Sequence, residues 1–535
     1  MTRARSLPVQ TLLVTLGLVA LAAAVYATWV ADGGFFWDDW QLAARNRFPP
    51  LDDPNYAGSL DLALLKYRPI LALLLPAAHK LLGSDPTGHI VLAIAINVVT
   101  SVCLFVYLRT LRTTALPAAL AAALALVFPW SDSMRFWATA AINDFGVIFY
   151  LLGTVVSIAG LRSSGRRAIL LGVGGVLLYL LSVLTYEVAG ALAVLNVVFY
   201  AREVGWRRAL RRWPWDAVPV IVAIAYVVSH HTRKTERSLG DMVEHARHVF
   251  DEALTLLARA VVPFGSPPRG LVLAGIGAVI VAAVVLRSRF GGDAPARPRI
   301  DNWLFGVGAA AVAIVASYLP IVPADAHYLP LAPGVNNRIN LLSAFAYSTF
   351  VVALAMLAAT LVFARSAPDR LRTGSLVLGC AACAVIGVGY VHRTLDDRAD
   401  WIRGAEAQQR VLDAIEASVP ADHPRGTTVY TFGERTYVAP GVPAFSVTWD
   451  LKGAVRLLFD DRTMRGYAIS PDGKIACLDD GVDPRGFAFG RGAGQGARYG
   501  RAYFVDVPAK QAVRITSRAV CERERARLLR FYRGT

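Results

Sequence analysis

Two adjacent carboxylates, Asp38 and Asp39, stand between Trp37 and Trp40 in the run Gly33-Gly34-Phe35-Phe36-Trp37-Asp38-Asp39-Trp40. Like charges this close do not both ionise freely, so the pKa of one of them is expected to rise. A carboxylate tuned in this way suits a general base that takes the proton of a hydroxyl. Each residue type also has an ordinary use. Tryptophan anchors a chain at a membrane interface, and aspartate caps a helix start. The same stretch continues with Tyr67-Arg68-Pro69 and then Gly83-Ser84-Asp85-Pro86-Thr87-Gly88-His89, with Asn97 eight residues on. Three later stretches carry polar groups. Ser131–Asn143 contains Asp132, Arg135 and Trp137 and is followed by Asp144. Thr185-Tyr186-Glu187 forms a second group, and Pro333-Gly334-Val335-Asn336-Asn337-Arg338 a third. Arginine presents a fixed fork of donors to phosphate, so Arg68, Arg135 and Arg338, with Lys66, are candidate phosphate ligands.

The elements that must position these residues are read from hydropathy. The chain has 535 residues, 55% of them hydrophobic and 18% charged, with a mean hydropathy of +0.45. A soluble globular chain is less apolar and more charged than this, and a disordered one is far less apolar. A membrane-crossing helix needs about 20 mostly apolar residues. Windows of that kind fall at 7–31, 89–108, 114–130, 144–161, 168–186, 188–201, 217–230, 270–286, 303–322, 341–364 and 374–392, with 188–201 and 217–230 the weakest. The first window ends in Val25-Tyr26-Ala27, which is like a signal-peptide cleavage site, but its apolar stretch is too long for one and favours a retained helix. The segment Pro69–Leu82 is apolar but short, as an interfacial or re-entrant helix would be.

The net charge of +16 admits two explanations, nucleic-acid binding or arginine-marked cytoplasmic loops. Position decides. If the N-terminus is cytoplasmic, one set of short loops holds Arg3, Arg5, Arg109, Arg112, Arg162, Arg166, Arg167, Arg202, Arg207, Arg208, Arg211, Arg212, Arg287, Arg289, Arg297, Arg299, Arg365, Arg370 and Arg372. The opposite, much longer loops are several times less basic. This is the positive-inside pattern. It places Asp38, Asp39, Arg68, Arg135, Glu187 and Arg338 together at the outer face and leaves no argument for nucleic acid.

From Arg393 onward the long apolar runs stop. The stretch 399–418 reads as an amphipathic helix with Trp401, Ala405, Gln408, Leu412 and Ile415 on one face. Strand-like runs follow at 427–432 and 502–507, with a turn at Pro471-Asp472-Gly473 and a last Arg-rich helix near 518–532. The fold expected is therefore mainly α. A polytopic membrane domain of eleven helices occupies 1–392 and includes a large first outer loop at 32–88. A small α/β (α+β) extracytoplasmic domain follows over 393–535. Cys477 and Cys521 are the only cysteines of that domain, and an outer location permits a disulfide between them. Cys380 and Cys383 have CxxC spacing but lie inside an apolar run, as packing residues do. His230, His231, His245 and His248 are metal-like at first sight, but His245 and His248 share one side of an amphipathic helix over 240–260 and no acidic third ligand has the right spacing beyond Glu244, Asp251 and Glu252, so an interfacial helix is the better reading than a zinc site. The Gly-rich run 490–500 does not match a phosphate loop.

Taken together, the Trp-Asp-Asp motif after the first helix, the Tyr67-Arg68-Pro69 entry to a short apolar helix and the Pro86-to-His89 start of the next resemble the GT-C superfamily of membrane glycosyltransferases. The resemblance is to the polyprenyl-phosphate-sugar-dependent kind, which includes protein mannosyltransferase-like and lipid A aminoarabinose transferase-like groups. It implies a catalytic aspartate in the first outer loop, here Asp38 or Asp39. It also implies a substrate site drawing on Trp37, Trp40, Tyr67, Arg68, His89, Arg135, Glu187 and Arg338. The aromatic residue that usually follows the late arginine is replaced by Ile339. The implied activity is sugar transfer from a polyprenyl-phosphate donor to a cell-envelope glycan, lipid or protein. It would occur on the outer face of the plasma membrane, with the N-terminus cytoplasmic and the C-terminal domain outside. No cofactor is required by the motifs, and a divalent ion, Mg or Mn, held by carboxylates is compatible with them. A transporter or flippase of a lipid-linked glycan is the alternative, with a non-catalytic envelope protein as a third reading. Transporters place ionisable groups near the bilayer midplane, whereas here they sit in the outer loops.

Overall fold

A computed structural model describes residues 7–50, 53–230, 238–290, 294–470, 474–485 and 496–530. Arg3 and Arg5, His231, the Pro471-Asp472-Gly473 turn and positions 490–495 of the Gly-rich run lie outside the described residues, as do the last positions of the C-terminal helix.

Among the described residues nine helices are long and apolar enough to cross a membrane, two fewer than the windows gave. The window at 114–130 contains only the 12-residue helix Ala115–Leu126. The window at 188–201 is broken into a 3-10 turn, Glu187–Ala189, and two short helices, Gly190–Leu195 and Val197–Val204. The second break sits at Asn196, which is buried. Its side-chain amide donates to Thr154 Oγ1 (3.0 Å) and Tyr179 Oη (2.9 Å) and accepts from Tyr150 Oη at 3.1 Å. A buried amide inside an apolar bundle must have partners, and this network supplies them.

Both irregular segments nevertheless run the length of the bundle. At one end Glu203 pairs with Arg112 (3.0 Å) and Arg162 (2.9 Å), and Arg202 bonds Asn302. At the other end Glu187 pairs with Arg68, and Asn340 donates to the Trp130 carbonyl. The chain from Thr113 to Trp130 and the chain from Glu187 to Glu203 therefore connect the same two ends as the long helices. The molecule is a multi-pass membrane protein with an arginine-rich end and an end that gathers the acidic loop.

Local sequence fixes the entry to the elements at that second end. Proline favours the first position of a helix, and the residue before it is held extended. Pro69 opens Pro69–Leu82, and Pro86 opens Pro86–Thr110 with Asp85 accepting from the Thr87 amide. The short apolar helix Pro69–Leu82 packs against Asp38–Arg47 and Gly165–Thr185.

The last span does not stop at residue 392. Pro368–Ser418 is one helix of 51 residues, roughly 75 Å long at 1.5 Å per residue. The amphipathic helix read at 399–418 is its second half, so the C-terminal unit joins the bundle through an unbroken rod. Trp401, Gln408, Leu412 and Ile415 are buried as their spacing requires. Beyond it, a four-stranded sheet has the order Gln511–Ile515, Ala502–Asp506, Thr428–Phe432, Arg465–Ala468. The first of its three pairings is antiparallel and the other two are parallel. Alternation splits its side chains between two cores. Val429 and Val505 face the long helix and Asp450–Leu458, while Tyr430, Phe432 and Phe504 face Arg518–Leu529.

Cys477 and Cys521 form a disulfide with Cα atoms 5.9 Å apart and a sequence separation of 44. Cys380 and Cys383 are free and lie within the long helix. Closing a loop of that length stabilises a domain by about 2–4 kcal/mol. The C477S/C521S variant is expected to lose that amount, read as a lower midpoint for the C-terminal unit in thermal unfolding followed by fluorescence.

Candidate active site

The acidic pair is divided by its surroundings. The backbone of Trp37 has φ 46°, a left-handed conformation that costs a bulky residue of order 1–3 kcal/mol and marks functional turns. It is held by Trp37 Nε1 donating to Ser446 Oγ (2.7 Å) and by an edge contact with Trp137, 5.5 Å between ring centres. The helix Asp38–Arg47 starts directly after it.

Asp39 points inward and is 1% exposed. It accepts from the amides of Phe36 (3.0 Å) and Thr139 (2.8 Å) and from the Thr139 hydroxyl. Burial pushes its pKa up to about 7 against these hydrogen bonds, and the charge of Asp38 is the smallest of the contributions. The expected rise is present, but its main cause is desolvation, with the neighbouring carboxylate adding the least. Asp38 is only half-buried, and its Oδ1 accepts from Trp449 Nε1 at 2.8 Å. Asp39 thus ties the acidic helix to the loop around Thr139, and Asp38 is the member of the pair with access to the site.

Arg68 and Glu187 meet each other. The guanidinium donates through Nε (2.9 Å) and Nη2 (2.6 Å) to the two carboxylate oxygens and lies 4.4 Å from the centre of the Tyr186 ring. This bidentate geometry is the strongest form of the pair, and the nearby carboxylate pushes the Arg68 pKa up against its burial. Arg338 donates to Tyr328 Oη (2.8 Å) and the Val335 carbonyl (3.3 Å). Its guanidinium carbon lies 5.1 Å from the Trp137 ring centre and 5.3 Å from that of Tyr328. The phenol of Tyr186 interacts with Arg68, Glu187, Arg338 and Tyr328 together. Arg68 thus lies on Tyr186, while Arg338 lies on Trp137, which packs against Trp37 next to Asp38. Tyr67 lies under Arg68, ring centre 5.5 Å from its guanidinium.

Trp40 turns to the C-terminal unit and donates to Gln408 Oε1 at 2.9 Å. The Asp38–Arg47 and Asp450–Leu458 helices pack together. Asp450 accepts from the amides of Ser446 and Val447, fixing the turn that carries Trp449 to Asp38.

Two expected substrate residues are corrected. Arg135 is 2% exposed. It donates to the Phe128 carbonyl and balances the carboxylates of Asp132 and Asp144 inside the protein. It is a buried internal counter-charge. Asp132 in turn accepts from Trp401 Nε1 (2.8 Å) and from the Asn337 amide. His89 is 2% exposed, with Nε2 3.0 Å from the Gly83 carbonyl and its ring against His79 and Phe35. It packs the loop from beneath. The helix expected at 240–260 is present as Leu239–Val261, with His245 buried and His248 exposed beside Glu244.

Sequence reasoning missed Thr139, Tyr328, Ser446 and Trp449. The one available signal was Trp449-Asp450, a Trp-Asp pair like Trp37-Asp38 that lies in the C-terminal unit. Among the described residues no three His, Cys, Asp or Glu side chains gather so as to hold a metal ion.

No protein-family model matches the sequence, and no curated protein matches it. Among solved structures, the crystal structure of ArnT from Cupriavidus metallidurans in the apo state is similar at 14% identity. The match covers 85% of this chain and 86% of that one with a TM-score of 0.43. The structure of the same protein bound to undecaprenyl phosphate is similar at 14% identity, covering 84% and 85% with a TM-score of 0.40. These scores are low, and the roles given to residues here rest on this chain's own geometry.

Proposed function

We propose that this protein is an integral membrane glycosyltransferase that moves a sugar from a polyprenyl-phosphate donor to a cell-envelope glycan, lipid or protein. The observation that supports the proposal is that Arg338 lies on the ring of Trp137, which packs against Trp37, the residue before Asp38. This arrangement occurs at one end of the bundle, beside the Arg68–Glu187 pair and under the C-terminal unit. The arginines of the opposite end support an extracytoplasmic site through the positive-inside rule, and with it a cytoplasmic N-terminus and a plasma-membrane location.

The step is a direct displacement. Asp38 takes the proton of an acceptor hydroxyl, whose oxygen forms a bond to the anomeric carbon. The bond from that carbon to the phosphate oxygen breaks, and the polyprenyl phosphate leaves with the electron pair. Arg338 meets the charge that develops on the phosphate. Among the described residues it uses two of its five N–H donors, whereas the fork of Arg68 is closed by Glu187. Arg68 and Glu187 hold Tyr186 and with it the wall of the site.

The test uses proteoliposomes of the full chain supplied with radiolabelled polyprenyl-phosphate sugars and a cell-envelope extract. Label in a new, acid-labile glycosidic product supports the transferase. Movement of intact labelled donor between leaflets without a new bond identifies a flippase and overturns the proposal.

A further inference from the structure

A large cavity among the described residues has no part in the chemistry above. It encloses about 860 Å³ between the helices Pro86–Thr110, Ala115–Leu126, Asp144–Leu161, Arg297–Tyr318 and Ser343–Val362. That volume is in the range of sites that enclose a sizeable organic ligand. Its two ends differ. Toward the Asp38 end the walls are apolar, with Val147, Leu192 and Leu342. At the opposite end Arg112, Arg202 and Arg299 line the mouth.

The mouth is basic in sum. Glu203 is its one lining carboxylate, and it is shared between Arg112 and Arg162. Arg202 donates to Asn302 and lies 4.1 Å from the Phe305 ring centre. Arg299 makes no ion pair with a described residue, and Arg109 stands one turn from Arg112. An amphiphile with an anionic head and an apolar chain matches this gradient, with its head on the arginines and its chain toward the middle of the bundle. Basic pockets between membrane helices bind anionic lipid headgroups for this reason. A polyprenyl phosphate serving the reaction would need its phosphate at Arg338, at the other end, so its polarity is opposed to that of the cavity.

We infer that this cavity is a binding site for an anionic phospholipid, with its phosphate held by Arg112, Arg202 and Arg299 and one acyl chain inside. The site is separate from the transfer site, and the inference stands whether or not the transferase reading holds.

Native mass spectrometry of the full chain decides it, with dioleoyl phosphatidylglycerol and dioleoyl phosphatidylcholine offered at equal concentration. The wild type is expected to retain phosphatidylglycerol at least tenfold over phosphatidylcholine. R112A/R202A/R299A should bring the ratio close to one. A310F, which fills the middle of the cavity, should lower retention of both lipids severalfold. It serves as the second variant if the triple variant does not elute as a single species. Equal retention of the two lipids by the wild type overturns the inference. So does undiminished selectivity in the triple variant, or undiminished retention in A310F. Stoichiometric displacement of phosphatidylglycerol by undecaprenyl phosphate assigns the cavity to a polyprenyl chain and also overturns it.

Discussion

Replacing Asp38 with Asn is expected to lower the rate of sugar transfer by about 10²–10⁴-fold, the range for loss of a general base. Asn keeps the size of the side chain and an oxygen that can still accept from Trp449 Nε1, 2.8 Å away in the parent, so the fold is expected to hold. The loss should fall on kcat, because proton removal belongs to the transition state. The neighbouring change, D39N, separates the two carboxylates. Asp39 accepts from the Phe36 amide and from both donors of Thr139. An amide in its place presents N–H groups to donors, and a mismatch of this kind in the interior costs about 1–3 kcal/mol. D39N should therefore lower the unfolding midpoint, whereas D38N should not.

The pH dependence of stability carries a second signature of Asp39. Its folded pKa of about 7 lies above the ordinary aspartate value of 3.8. Between those values the folded state binds more protons than the unfolded one, so the contribution of Asp39 falls as pH rises from about 4 to 7. D39N should flatten that slope, and D38N should leave it. Transfer activity in D38N equal to the parent would remove Asp38 from the mechanism, whatever the behaviour of Asp39.

Arg338→Ala is expected to have the next largest effect, a fall of about 10²–10³-fold in kcat, as for loss of one group that stabilises charge in a transition state. KM for the donor should change less, because a full charge on the phosphate oxygen develops only as the bond breaks. R338K should recover part of the rate, since it restores charge but not the planar fork. R68A behaves differently. It leaves Glu187 without the two bonds of 2.9 and 2.6 Å, so its main effect is on stability and on the position of Tyr186. Steady-state kinetics and thermal unfolding of both variants distinguish a residue that meets the leaving group from one that holds the wall. A kcat for R338A within threefold of the parent would sink the role given to Arg338.

Much of the scaffold was legible in the linear sequence, and the reason is the bilayer. A hydrocarbon layer about 30 Å thick requires long uninterrupted apolar helices, so composition alone locates most of the spans. It also requires charge asymmetry between loops. Short strand-like runs likewise located the strands at 427–432 and 502–507, because a sheet with two covered faces selects residues that bury on both sides over a few positions. The acidic loop, the arginines and the Glu187 turn could be assigned to one end of the molecule because topology alone puts them there.

Other features were set by contacts between distant parts of the chain. The division of labour between Asp38 and Asp39 depends on Thr139, 100 positions from Asp39, and on Trp449, 411 positions from Asp38. No local pattern encodes those distances. Arg135 and Arg68 are both arginines in segments at the same end of the bundle, yet one is buried as a counter-charge to Asp132 and Asp144 and the other is closed by Glu187. Desolvation and pairing separate them, and both are properties of the surroundings. The break at Asn196 follows the same rule, since only packing decides whether a polar residue in an apolar window finds partners. Sequence determined which residues could reach the outer end of the bundle. Tertiary structure decided which of them are buried, which are paired, and which remain able to meet a substrate.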